Sequence, residues 1–242
     1  MKTQTMKKTI LLCTALLAGT SAVLAQEASA VAESDYAVTV DFPFTSKYVF
    51  RGVKLGREAV QPSVEVAAGD FYTGVWSNIP LRNEHDGDVT KEVDLYAGWT
   101  PKLADNLKAE VGATLCWDPS VSDGYADDPF EMFAGLNYTW GNFTPAVYVY
   151  RDFDLDIWTY QGSIGYSVPL ASLGTSLDFN ATAGAVSPDD GEIYGYYSVG
   201  VSLPVKLSDA VKLNFGLTYT ENDLDHGKDP GLWGTAGVAV SF

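Results

Sequence analysis

Acidic side chains recur on one face of a period-two pattern through most of this chain. Glu92 and Asp94 alternate with Val93 and Leu95, Glu110 with Ala109 and Val111, Glu131 with Phe130 and Met132, and Asp178 with Leu177 and Phe179. Glu65 keeps the same parity, while Lys47, Arg51, Lys108 and Lys212 bring the opposing positive charge. Carboxylates repeated strand after strand on one wetted face set a field that prefers cations. The same charges can instead pair across a filled interior. Tyr148 and Tyr150 carry that face on toward Asp152, Asp154 and Asp156, where three like charges at period two repel unless they are solvated or bridged by a cation. The expected pore-lining set is therefore Arg51, Glu65, Glu92, Asp94, Glu110, Glu131, Tyr148, Tyr150, Asp178 and Lys212. Asp152, Asp154 and Asp156 would form a cation-collecting vestibule.

Bond-making chemistry finds little support. The two histidines, His85 and His226, stand beside carboxylates in loop-like stretches, and neighbours in a loop are not a positioned acid–base pair. Asp223, Asp225 and Asp229 around Gly227 have the carboxylate density of a calcium loop without its order. No catalytic residue, metal ligand or cofactor is expected. Acidic residues number 31 against 15 basic, a net charge of -16. That balance makes nucleic acid a poor partner and concentrates cations near the chain.

The elements that must position these groups are strands. Alternation of the same kind defines about 12 segments; another clear one is Val211, Leu213, Phe215, Leu217 and Tyr219 against Lys212, Asn214, Gly216, Thr218 and Thr220. The chain finishes in the same way, with Leu232, Gly234, Ala236, Val238, Val240 and Phe242 on one side. One face of every segment wants hydrocarbon and the other wants water. A sandwich would bury the apolar faces against each other, and a barrel would present them to lipid. The links favour the barrel. Alternate links are short, as at Gly69-Asp70 and Gly141-Asn142, whereas those between them are long and acidic: Asn83 to Thr90, Asp118 to Asp128, Arg151 to Asp156, Ser187 to Glu192 and Glu221 to Gly231. Tryptophans at strand ends fit the two interfacial belts of a membrane barrel. Pairing of Lys102-Leu103-Ala104-Asp105 with the later Lys206-Leu207-Ser208-Asp209 points to one turn chemistry used twice.

Met1 to Ala25 has the lysines, apolar run and small residues of a cleaved export signal, with cleavage as late as Ala30 also open. Residues 26–34 read as a short leader and 35–242 as the barrel. Beyond the signal, no stretch reaches the roughly 18 apolar residues a membrane helix needs.

Ser46-Lys47-Tyr48-Val49-Phe50-Arg51-Gly52, then Gln61-Pro62-Ser63, Gly74-Val75-Trp76-Ser77-Asn78 and Glu92-Val93-Asp94-Leu95-Tyr96-Ala97-Gly98, resemble the opening of the TorF-type porins. The resemblance implies a Gram-negative outer-membrane barrel and diffusion of an unspecified solute. It also suggests that Arg51 ties the first strand to carboxylates such as Glu65. Together these features predict an all-β transmembrane antiparallel β-barrel of about 12 strands. Its expected partners are outer-membrane lipid and small hydrophilic solutes or cations. The alternative is a non-conducting structural or surface-contact barrel whose acidic loops bind divalent cations.

Overall fold

The computed structural model describes residues 36–82, 91–117, 129–224 and 229–242. Its strands are β1 (Ala37–Thr45), β2 (Tyr48–Phe50), β3 (Val53–Gly56), β4 (Ala59–Val60), β5 (Ser63–Ala68), β6 (Phe71–Pro80), β7 (Glu92–Trp99) and β8 (Lys102–Ala104), followed by β9 (Leu107–Trp117), β10 (Phe130–Tyr138), β11 (Phe143–Asp152), β12 (Ile157–Leu170), β13 (Thr175–Pro188), β14 (Tyr194–Lys206), β15 (Val211–Asn222) and β16 (Gly231–Ser241). The expected signal and leader, and the acidic links at 83–90 and 118–128, lie outside the described residues.

The wall is a closed, antiparallel barrel of 12 strands. β4 and β5 are two pieces of one wall strand, broken at Gln61-Pro62, where proline supplies no N–H to a ladder. From β1 the ring passes through β4/β5, β6, β7, β9, β10 and on to β16 in chain order. It closes where β16 pairs β1 from Thr39–Ser241 to Thr45–Thr235. Val38 and Phe242 exchange backbone hydrogen bonds of 3.2 and 2.9 Å at the end of that seam. The stub β8 folds against β9, and the β2–β3 hairpin is not part of the ring.

Parity is uniform around the wall. Phe42, Val64, Val75, Leu95, Val111, Met132, Val147, Ile164, Phe179, Val199, Leu217 and Leu232, one from each wall strand, are all exposed on the outside. A soluble domain does not leave so continuous an apolar belt in water, and a β-sandwich would have buried it. The alternate positions, carrying Glu65, Glu92, Asp94, Glu110, Glu131 and Asp178 with Tyr72, Tyr96, Tyr148 and Tyr150, face the bore.

The short links gather at one rim. Gly69 and Gly141 take φ of +60°, the left-handed conformation that tight connections require and a Cβ penalises. The repeated turn motif is also realised twice there: Lys102 pairs Asp105 at 3.0 Å and Lys206 pairs Asp209 at 2.9 Å. Outward aromatics form stacked pairs near both rims, such as Phe71 with Trp99 at 6.1 Å and Trp158 with Tyr160 at 6.3 Å. Not every tryptophan joins them. Trp76 packs inward on Tyr48 at 5.8 Å, and the Trp233 indole N–H donates to Thr220 Oγ1 at 3.1 Å.

The register makes opposite demands on neighbouring residues of β14. Val199→Arg places a charge on the outward apolar belt and is expected to cost roughly 2–4 kcal/mol near the middle of a bilayer; Ser198→Arg points into the bore and is expected to be mild. Refolding into lipid vesicles, followed by heat-modifiable gel migration, measures both, and equal effects would contradict the inside–outside assignment.

Candidate functional site

The bore is built around a segment that leaves the wall. After β1, Ser46 is clamped to β16: its N–H donates to Gly234 O at 2.9 Å and its Oγ accepts from the Gly234 N–H at 2.9 Å. The chain then folds inward as the β2–β3 hairpin, irregular at Tyr48/Val49. It turns at Arg51 (φ 43°) and Gly52 (φ 82°). A Cβ on Gly52 would meet the Tyr196 side chain and lie 3.1 Å from Asn222 Cβ, so the tip has room for glycine alone. The hairpin returns to the rim at Glu58, which Arg82 binds with Nε at 3.1 Å and Nη2 at 3.3 Å.

The hairpin crosses the bore from side to side, just inside the long-link rim. Tyr48 donates its hydroxyl to Glu92 Oε2 on β7 at 2.5 Å. Arg51 reaches β10, halfway round the ring from β1, and makes a bidentate pair with Glu131 at 2.7 and 2.9 Å. Its guanidinium lies 4.6 Å from the Phe50 ring centroid and 4.5 Å from that of Tyr150 on β11. The paired side chains are only 5% and 1% exposed. A fork held in the plane of a carboxylate and sandwiched between rings admits one orientation of the tip. Asn222 on β15 adds a side-chain bond to Gly52 O at 2.6 Å. Val53 packs against the cluster of Ile157, Val186, Tyr194 and Tyr196.

At the rim, Lys54 meets Asp229 at 2.8 Å, and Lys47 donates to Asp229 O at 3.0 Å and to Pro230 O. The hydrogen bond from Lys54, and then the charges of Lys54 and Lys47, hold the Asp229 carboxyl below its ordinary range. This exposed anchor therefore acts while Asp229 is ionised and lapses as pH falls through the lowered value. Glu58 is lowered likewise, chiefly by the Arg82 hydrogen bond.

Below the hairpin, the two halves of the bore differ. From β5 to β11 aromatic rings face inward, and four of them lie over a glycine directly opposite on a neighbouring strand. Tyr96 covers Gly74, Tyr72 covers Gly98, Phe133 covers Gly112 and Tyr148 covers Gly135. An added Cβ at any of these glycines would fall within the ring, so the glycines let the rings lie back against the wall. Their hydroxyls partner the carboxylates: Glu110 accepts from Tyr72 at 2.6 Å and from Tyr148, and Glu65 accepts from Tyr96 at 3.2 Å. From β12 to β16 the large inward side chains, Ile157, Val186, Tyr194, Tyr196 and Trp233, gather near the hairpin, and away from it the inward residues are mostly small or amide-bearing, including Ser163, Asn180, Thr182, Ser198, Ser202, Asn214 and Thr218. Asn180 is exposed although it faces the bore, so water reaches that wall. Asp178 accepts from Ser167 at 2.5 Å, and Lys212 lies in register between Lys206 and Ala239.

Glu65, Glu92, Asp94, Glu110, Glu131, Tyr148, Tyr150, Asp178 and Lys212 thus all occupy inward positions on wall strands. Arg51 belongs to the hairpin, and its partner is Glu131 in place of the anticipated Glu65. The three expected vestibule aspartates do not share a mouth. Asp152 faces inward and accepts the N–H groups of Asp154 at 3.0 Å and Leu155 at 2.8 Å; Asp154 accepts the Phe130 N–H at 2.8 Å. Asp156 turns at φ 52° and pairs with Arg151, whose guanidinium lies outside, over Phe153 and Trp158. Period two ends where the turn begins: Asp152 is spent on the turn's own backbone, Asp154 on the start of β10 and Asp156 on Arg151. Glu92, Asp94 and Cys116 bring ligand-type atoms within 4.8 Å of one another, but Glu92 is already engaged by Tyr48. His85 and His226 lie outside the described residues.

A closed ring with an apolar exterior, an inward loop and a polar bore has the architecture of the outer-membrane porins. The KdgM porin superposes with a TM-score of 0.59 at 12% identity, covering 84% of this chain and 99% of its own. The same figures hold for a KdgM porin in complex with disordered oligogalacturonate. The NanC porin gives 0.52 at 11% identity, over 84% of this chain and 98% of its own. At such identities the likeness establishes the fold. The chain belongs to the family of bacterial proteins of unknown function designated Gcw_chp, whose model spans residues 29–226. No curated protein matches it.

The ring-over-glycine pairs define a stability test. Gly135→Val drives a side chain into Tyr148, which Glu110 holds from the other end, and is expected to cost about 1–3 kcal/mol of overpacking. Gly162→Ala, outward and with its nearest neighbour 4.0 Å from the new methyl, is expected to be near neutral. Urea unfolding midpoints in lipid vesicles compare the two.

Proposed function

We propose that this protein is a channel of the Gram-negative outer membrane for passive diffusion of small hydrophilic solutes, with cations preferred over anions. The observation that carries this reading is the bore itself: inward Glu65, Glu92, Asp94, Glu110, Glu131 and Asp178 outnumber inward cations, beside a water-accessible wall of hydroxyls and amides. Carboxylate-lined constrictions favour cations. A polyanion of the kind bound by KdgM would meet like charge here, so the shared fold does not extend to that solute class. Likeness to TorF-type porins in the Ser46–Gly52 box agrees with diffusion without naming a solute.

One observation favours a second reading, a non-conducting structural or surface-contact barrel: the hairpin lies across the bore, and much of the acidic field is taken up by Tyr hydroxyls and Arg51.

Planar-bilayer recordings of the refolded protein in a KCl gradient separate the readings. The expected result is measurable conductance with a reversal potential on the cation side, reduced in Asp178→Asn and increased in Lys212→Gln. Anion selectivity would overturn the charge assignment. Silence in the bilayer, together with liposomes impermeable to small sugars, would favour the structural barrel.

A further inference from the structure

We infer that the β2–β3 hairpin is the constriction of this channel and that the Arg51–Glu131 pair is a latch that sets how often it blocks the bore. This inference rests on the channel reading above and adds the regulation of the same passage. Four observations converge. The hairpin is the only pair of strands among the described residues that forms a sheet separate from the wall. It spans the bore to β10, on the far side from its root in β1. The contact at its tip is a bidentate ion pair between two rings, beside which Phe50 packs with Tyr48, Trp76 and Tyr96, and Val53 packs on Tyr194 and Tyr196. Its two ends are fixed at the rim by Ser46–Gly234 and by Glu58–Arg82, which permits the tip to swing while the root stays in place.

The latch behaves as a two-position element. With the pair made, the guanidinium and carboxylate satisfy each other away from bulk water. Removing one partner leaves an uncompensated charge in a confined site, a loss large enough to shift a two-state equilibrium by roughly a hundredfold. The relief is for the tip to leave the bore, where the remaining charge is hydrated. Phe50 and Val53 resist that movement through their own packing, so the full shift is not transmitted. Arg51 and Glu131 are positioning residues in this scheme, since the passing solute need touch neither.

Single-channel recording tests the proposal on the refolded full-length mature protein with Arg51→Gln, Glu131→Gln, the exchange Arg51→Glu with Glu131→Arg, and a barrel in which residues 47–57 are replaced by a short glycine-containing turn. Heat-modifiable migration confirms that each has folded. The shortened barrel is expected to show the largest and steadiest conductance. Each single variant is expected to raise open probability about tenfold over the unaltered protein, and the exchange is expected to return it toward the starting value, which a merely structural defect would not do. A second readout does not depend on conduction: trypsin is expected to cut after Lys54 or Arg57 faster in Glu131→Gln than in the unaltered protein, because a displaced hairpin is accessible. If the shortened barrel conducts more while both single variants match the unaltered protein in opening and in cleavage, the latch is wrong and the channel reading stands. If the shortened barrel conducts no more than the unaltered protein, the hairpin is not the constriction. Silence of the shortened barrel overturns the channel reading itself.

Discussion

Every backbone N–H and C=O on this wall must find a partner within the wall, because the belt outside it is apolar and offers none. An open sheet would leave two edges unpaired, each group costing several kcal/mol in hydrocarbon. The seam between β1 and β16 removes both edges at once. The alternation of every strand follows from that closure, since a one-residue slip at the seam would turn each apolar side chain into the bore and each carboxylate toward lipid. The apolar stripe of β16, ending at Phe242, and the inward placement of Asp41 and Thr45 on β1 are two sides of the same register.

Closure also decides what the interior must accommodate. A ring of 12 strands encloses more space than two inward rows of side chains can fill and less than an open trimeric-porin type of pore. Here the space is divided unequally. On the β5–β11 side the rings lie back over glycines and their hydroxyls answer the carboxylates, so charge that would be costly in a narrow bore is hydrogen-bonded locally. Opposite them, β12–β16 place Tyr194 and Tyr196 at the level of the hairpin and, away from it, contribute mostly small side chains that leave room for water. The hairpin enters across this unequal interior and finds its partners on both halves, Glu92 and Glu131 on one and Asn222 and Tyr196 on the other.

Which residues face in and which face out is written in the chain residue by residue, because parity is a local property that the seam merely anchors. Val93, Leu95 and Trp99 against Glu92, Asp94 and Tyr96 is sufficient for β7. The hairpin was not legible in the same way. Tyr48-Val49-Phe50 alternates as any wall strand does, and a segment folded inside the bore meets no hydrocarbon that would alter its composition. The one local signal was Arg51-Gly52, a pair suited to positive φ, and it reads equally well as a strand end. Parity says that Arg51 and Glu131 both face inward but is silent on height and azimuth, so the nearer Glu65 seemed as good a partner. The aspartates at 152, 154 and 156 show the converse: period two persists in the sequence after the strand has ended, and their carboxylates are engaged by the turn, by the Phe130 N–H and by Arg151. Trp76 adds a related case, because a tryptophan over a bore-filling tyrosine is indistinguishable in sequence from one in an interfacial belt.

The choice of an ion pair at the hairpin tip has physical consequences that packing would not. An apolar tip would be held about as well in several rotations against the aromatic wall, and its displacement would cost free energy gradually as contacts were lost. A guanidinium in a carboxylate fork has one orientation, and once the fork opens, desolvation makes every partly separated geometry poor. Such an element is either seated or released. Between those positions the root at Ser46 and Glu58 need not change, since its bonds run to β16 and to Arg82 at the end of β6. A wall rigid enough to keep its ladder closed can therefore carry an internal segment with two states, because the element that moves contributes no hydrogen bond to the seam.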